Sequence, residues 1–294
     1  MPQRILIIGA TGLLGQALTR RAGERGWDVN GAARRGANHV LDVLDDAAVD
    51  RLIDNVRPDV VVNCAALVDL ALCERDPEAA LRLNGRAPGV IAAASARLGA
   101  YFVQISTDHF YSGDGRAQHS ENAPVVLLNA YARSKFAGEE SARKADPRCL
   151  IIRTNIVGFR GWAHQPTFAE WACNAIHSRA PMTLYDDYFT SSIEVGQFAD
   201  AFFDILATRP DGVLNLASQE VASKKEFVVA LAGALGVGLG DVATASVKSL
   251  HGAPRAESLG LDVASAEALL GRPLPDLGEV IEALRRANLA RMCT

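Results

Sequence analysis

The strongest constraint on this chain lies at its N-terminus. Residues 4–9 (RILIIG) form an unbroken apolar run, and Gly9, Gly12 and Gly15 follow at three-residue spacing. Such a run reads as a strand buried on both faces. Residues 12–26 then carry helical spacing and end in glycine, a helix stop. A glycine triplet between a strand and a helix is the signature of a turn that holds a dinucleotide pyrophosphate. Gly9 permits the tight turn, Gly12 lets the backbone approach the phosphates, and Gly15 lets helix and strand pack closely. Thr11, Leu13 and Leu14 complete the loop, and the helix start offers N–H groups and a positive dipole end.

Strand-like runs recur at residues 27–33, 39–42, 59–65, 100–107 and 149–154. Helical patterns over 46–56, 76–98 and 128–145 separate most of them, and 112–124 reads as a loop. Alternation of this kind predicts an α/β fold, a doubly wound parallel (Rossmann) sheet. After Thr154 the rhythm becomes irregular. Residues 196–208 read as a helix and 212–217 as a strand. Beyond Ser223 the chain reads as mostly helical, as at 225–235 and 277–291. The expected organisation is a dinucleotide-binding domain over 1–156 and 188–218. A smaller, mostly helical C-terminal substrate domain takes 157–187 and 219–294.

Composition narrows the function classes. The 294 residues carry a formal net charge of -4, without the basic surplus of a nucleic-acid binder. Cys64, Cys73, Cys149, Cys173 and Cys293 form no Cys-x-x-Cys pair and read as reduced thiols. No signal-peptide pattern opens the chain, and no stretch approaches the roughly 20 apolar residues of a membrane span. A cytoplasmic protein with neither nucleic-acid nor membrane partners is expected. The histidines lack metal-ligand spacing, so no metal is expected.

The end of the second strand selects the cofactor. An acidic residue about 20 positions past the glycine turn would suit NAD(H), whereas Arg suits the 2′-phosphate of NADP(H). The chain reads Ala32-Ala33-Arg34-Arg35 there. Paired guanidinium donors favour NADP(H), with NAD(H) as the alternative. Asp42 and Val43, after the third strand, suit an adenine contact or the N-cap region of the next helix.

Tyr131 and Lys135 stand four residues apart on a predicted helix, hence on one face. A phenol titrates near ~10, and a neighbouring ammonium lowers that value. Tyr131 can then serve as general acid toward a carbonyl oxygen, with Lys135 holding the nicotinamide ribose. Ser106-Thr107-Asp108 closes the fifth strand, at the sheet edge where ligands bind in such folds. The Thr107 hydroxyl can stabilise developing charge on that oxygen.

With these segments in view, the chain resembles the extended short-chain dehydrogenase/reductases, and within them the dTDP-4-dehydrorhamnose reductase-like branch. GATGLLG, PDVVVNCAAL, ISTDHFYSGDG, NAYARSKFAGEE and IIRTN carry the similarity, with residues 253–275 resembling the family's substrate-domain ending. The resemblance implies catalytic Thr107, Tyr131 and Lys135. It implies cofactor contacts from Cys64, Ala65, Ala66, Asn84 and Asn155, and a substrate contact from Arg255, for which a salt bridge is the alternative; His109 beside Asp108, at the strand end, suits a substrate contact or a packed histidine. The resemblance also implies reduction of a nucleotide-linked keto-deoxysugar, with the C-terminal domain covering the nucleotide-sugar, and admits a homodimer. A sugar-nucleotide epimerase is the rival enzyme. A non-catalytic regulatory subunit like that of methionine adenosyltransferase is the rival of another class. The chain departs from the family's usual Ser-Thr-Asp-Tyr-Val-Phe at His109, Phe110 and Tyr111, from its Trp at Ile156, and from its Gly-Ser-Pro-Thr at residues 189–192.

Overall fold

The computed structural model describes residues 2–292, so Cys293 lies outside the described residues. The chain divides into two compact units. The first comprises 1–110, 127–153 and 202–214; the second comprises 111–126, 154–201 and 215–294.

The first unit is built on a seven-stranded sheet. Across it the strands run Gly212–Asn215, Leu150–Arg153, Tyr101–Ile105, Val60–Asn63, Arg4–Ile8, Asp28–Ala33 and His39–Val40. The last six pair in parallel. The order reverses between Arg4–Ile8 and Val60–Asn63, and such a reversal opens the crevice where nucleotides bind. The apolar runs are buried because helices cover the sheet. Leu6, Ile8, Val61, Phe102 and Ile151 share one cluster with Val49 and Ile53 of helix Asp46–Val56 and Ile91 of helix Ala87–Arg97.

The helix expected over 76–98 is present but not uniform. It opens as Pro77–Ala80, widens to a π-helix over Leu81–Arg86 and continues as Ala87–Arg97. The reason is covalent. Pro88 has no N–H to give the Asn84 carbonyl four residues back, and the Ala87 N–H bonds Arg82 O, five residues back. The bulge carries the Asn84 carbonyl up against Gly138, where a Cβ would lie 2.1 Å from that oxygen.

The second unit packs helices Phe168–Ser178, Lys224–Leu235 and Leu277–Met292 through Ala169, Ile176, Phe227, Leu231, Val280 and Leu284. Thr167 with Glu170, and Ser223 with Glu226, form capping boxes that start two of these helices. The unit also holds more strand than the sequence suggested. Val242–Ala245 pairs with Met182–Tyr185, and Ser258–Leu261 lies between Phe189–Thr190 and Gln118–His119. Gln118–His119 falls within the stretch read as a loop. Strands of two to four residues are too short to show a period of two, so only their partners define them. Among the described residues no helix is long and apolar enough to cross a membrane.

Candidate active site

Gly9 sits at φ 84°, a left-handed conformation glycine adopts without strain. A Cβ there would approach Ala65 N to 2.8 Å, so the turn presses against the loop after the fourth strand. On Gly15 a Cβ would lie 2.1 Å from Gly9 O and 2.7 Å from Ala10 Cα. Gly12 is the N-cap of helix Leu13–Glu24 and brings no side chain onto the first-turn amides. This leaves those N–H groups for an anion. Leu14 is buried, whereas Thr11 and Leu13 are half-buried.

Arg34 and Arg35 are exposed on the loop after the second strand. That loop abuts the glycine turn, since a Cβ on Gly36 would lie 3.6 Å from Thr11 Cγ2. Asp42 is exposed and its Oδ1 accepts the Leu44 N–H at 3.0 Å. Val43 turns into the core. The N-cap of the next helix is Asp45, which accepts from Ala48 N.

Cys64 continues the sheet ladder, its N–H donating to Ile8 O at 2.8 Å. The Ala65 N–H donates to Asn63 Oδ1 at 3.1 Å, and Ala66 follows half-buried. Asn84 is committed to the protein. Its Oδ1 accepts Leu67 N at 2.8 Å, while its Nδ2 donates to Leu67 O at 2.9 Å and Ser134 Oγ at 3.0 Å. It therefore ties this loop to the helix that carries Tyr131.

That helix, Ala130–Ala145, is capped by Asn129, whose Oδ1 accepts Ala132 N. The Tyr131 phenol lies within electrostatic reach of the Thr107 hydroxyl. The Thr107 hydroxyl lies 3.3 Å from Asp108 Oδ1 and accepts the His109 N–H, also at 3.3 Å. The His109 ring meets Tyr131, and Thr107, Asp108, Tyr131 and Lys135 are all buried. Thr107, Asp108, His109, Tyr131 and Lys135 thus come together within the first unit.

One electrostatic expectation needs correction. The Tyr131 phenol is not made more acidic; burial drives its pKa well above the ordinary value, and the nearby Thr107 hydroxyl opposes the rise. The Lys135 ammonium instead donates to Ile105 O at 2.7 Å. Burial lowers the Lys135 pKa to about 8, against the charge of Glu139 and then Cys64. Burial likewise pushes the Cys64 thiol up to about 12. Spacing along a helix brings two side chains to one face but says nothing of how much water each loses.

Asn155 and Arg255 belong to the second unit. Asn155 Oδ1 accepts from Ser192 Oγ at 2.7 Å, and Ser192 meets Thr190 Oγ1 at 3.0 Å. The turn in which this chain departs from the family therefore buttresses Asn155. Arg255 is exposed. Thr154, just before Asn155, is buried, with its hydroxyl unpartnered among the described residues.

The sequence reading passed over Glu139 and Arg153, a buried ion pair at 2.7 Å behind Lys135. A glutamate one turn beyond Lys135 was the available signal; its partner, on another element, left none.

Residues 3–287 match the RmlD substrate binding domain family. The "Probable low-salt glycan biosynthesis reductase Agl14" of Haloferax volcanii is 29% identical over 290 residues, 96% of this chain and 97% of its own length. The dTDP-4-dehydrorhamnose reductase of Mycobacterium tuberculosis is 33% identical over 227 residues, 76% of this chain and 72% of that protein. Among solved structures, dTDP-4-dehydrorhamnose reductase from Bacillus anthracis, in complex with NADP, shares the fold at a TM-score of 0.88. It is 23% identical, over 97% of this chain and 99% of that one. By a match that runs nearly end to end, the chain belongs to the RmlD substrate binding domain family, sugar-nucleotide reductases of the extended short-chain dehydrogenase/reductase kind.

Proposed function

We propose that this protein uses NADP(H) to reduce a nucleotide-linked keto-deoxysugar at C4, in the cytoplasm. The observation that carries the reading is the buried cluster at the end of the fifth strand: His109 gives its N–H to Thr107 Oγ1 and sets its ring edge-on to Tyr131, while Lys135, one helical turn on, donates to Ile105 O. The first unit would hold the dinucleotide, and the second would supply contacts to the nucleotide-sugar.

The glycine turn fits the cofactor. Cβ atoms at Gly9 and Gly15 would fill space the backbone occupies, and Gly12 leaves the first-turn amides clear. Gly9, Thr11, Gly12, Leu13, Leu14 and Gly15 would cradle the pyrophosphate. Arg34 and Arg35 would meet the 2′-phosphate, with Asp42 and the backbone of Val43 toward the adenine. Cys64, Ala65 and Ala66 would border the nicotinamide end. When bound, the dinucleotide supplies the hydride. Tyr131 gives its phenolic proton to the ketone oxygen, and Thr107 donates a hydrogen bond there as charge develops. A phenol whose pKa is raised by burial stays protonated at neutral pH, the form a reductase needs. Lys135 then offsets the charge left on Tyr131. Asp108, His109 and Arg255 would bind the sugar-nucleotide.

The test is NADPH oxidation against a panel of nucleotide-linked 4-keto-6-deoxy sugars, dTDP-linked ones first, with Tyr131→Phe alongside. Turnover that falls at least about 100-fold in the variant is expected. Tight NADPH binding with no oxidation by any sugar would overturn the reading in favour of a regulatory subunit. A retained, unconsumed cofactor would favour an epimerase.

A further inference from the structure

Glu139 takes no part in the chemistry above, yet it is among the most thoroughly buried charged groups of the first unit, 3% exposed. Its Oε1 accepts from Ser106 Oγ at 2.5 Å and from Arg153 Nε at 3.0 Å, and its Oε2 accepts from Arg153 Nη2 at 2.7 Å. Burying a carboxylate is costly even when it is paired, and apolar residues of similar volume often stabilise a core as well. Stability alone is thus a weak reason for this pair, and its position supplies a better one.

Lys135 and Glu139 stand one turn apart on the same helix, and both bond the end of the fifth strand. Lys135 takes Ile105 O, and Glu139 takes the hydroxyl of Ser106, the next residue. Thr107 follows, and Tyr131 lies one turn before Lys135. Two bonds, to the last strand residue and the one after it, therefore tie the Tyr131 helix to the segment that carries Thr107. Arg153 reaches Glu139 from strand Leu150–Arg153, held beside Tyr101–Ile105 by Ser106 N donating to Ile152 O at 2.7 Å. Its guanidinium lies 5.1 Å from the ring of Phe110, which packs edge-on against Phe136 of the same helix. The groups acting on the Lys135 charge are Glu139 from its own helix and Cys64 from the loop after the fourth strand, with Arg153 acting through Glu139.

We propose that Glu139 is a positioning residue: it sets the height of the Tyr131 helix against the Ser106–Thr107 strand end and holds a fixed negative charge one helical turn from Lys135. The proposal rests on the catalytic reading of Thr107, Tyr131 and Lys135.

The test compares wild type, Glu139→Gln, and the double variant Glu139→Gln/Arg153→Gln. The ionisation of Lys135 is followed by its 15Nζ shift, together with kcat, KM and their pH profiles. Glu139→Gln should lower the Lys135 midpoint by about one pH unit and move the alkaline fall of kcat by the same amount. It should cut kcat at neutral pH by about tenfold, with KM changed less than about threefold. The double variant removes the unpaired guanidinium and should recover thermal stability, but neither the midpoint nor kcat. A midpoint and pH profile unmoved to within about 0.3 unit, with only Tm reduced, would overturn the proposal. Should the single variant fail to fold, the double variant decides the same two readouts. Absence of turnover in the wild type would refute the catalytic reading, whereas the Lys135 midpoint would still decide the role of Glu139.

Discussion

The imidazole of His109 stands edge-on to the ring of Tyr131, with centroids 5.3 Å apart and planes at 90°. Such a pair contributes about 0.5–1.5 kcal/mol beyond simple burial, so the ring of His109 braces the proposed acid. His109 is also a proposed substrate contact, and two substitutions separate the roles. His109→Ala should lower kcat about threefold to tenfold and raise KM. His109→Phe should restore most of kcat while KM stays high. A kcat that remains low with Phe would mean that an imidazole nitrogen itself takes part.

Arg34 and Arg35 are exposed beside the glycine turn, where a 2′-phosphate would add charge-assisted hydrogen bonds. Replacing both with Ala should raise the Kd for NADPH by about tenfold to 100-fold, at about 1.5–3 kcal/mol for bonds to a charged group. The Kd for NADH should change little. Fluorescence titration with both cofactors checks this, and equal loss for the two would assign the arginines another role.

Two glycines of one helix should respond in opposite directions. Gly15→Ala places a methyl 2.1 Å from a backbone oxygen with no room to move, so it should destabilise the first unit strongly and abolish cofactor binding. A Cβ on Gly23 would meet nothing within 4 Å. Gly23→Ala should therefore be neutral or stabilise by about 0.5–1 kcal/mol, by helix propensity and a less flexible unfolded chain. Thermal melts of the two variants suffice.

Lys135 makes the reaction sensitive to mild alkali. Its folded pKa lies at about 8 against an ordinary 10.5. Between these values the unfolded chain binds a proton that the folded protein has released, so this group's contribution to stability rises with pH. The buried thiols Cys73, Cys149 and Cys173, raised from 9.0 to about 11, act the other way: their contribution is full below pH 9 and is lost as pH climbs through 11. Activity and stability should thus separate. The prediction is that kcat falls as pH passes 8 while Tm holds. Lys135→Arg, charged throughout, should flatten that fall at a lower overall rate. A profile flat to pH 9.5 in the wild type would contradict this.

Much of the first unit was legible because its signals are local. Each apolar run fell on a strand of the sheet, and the spacing of Tyr131 and Lys135 needed only helical geometry. The π-helix around Asn84 was missed although Pro88 was visible, because a proline can break, kink or widen a helix and only the neighbouring Gly138 admits the bulge. The strands of the second unit were missed because each is defined by partners far away in sequence, as Gln118–His119 is by Ser258–Leu261.

By itself the sequence determined what depends on near neighbours: the glycine turn, the order of strands and helices, and the common face of Tyr131 and Lys135. Tertiary structure alone decided which groups meet and how they titrate. It brought Thr107 to Tyr131, gave Glu139 its Arg153, turned Asn84 to Leu67 and Ser134, and set Lys135 on Ile105 O. The physical reason is that proton affinity follows desolvation and the charges left nearby. Both are properties of the packed interior, created when distant segments exclude water together.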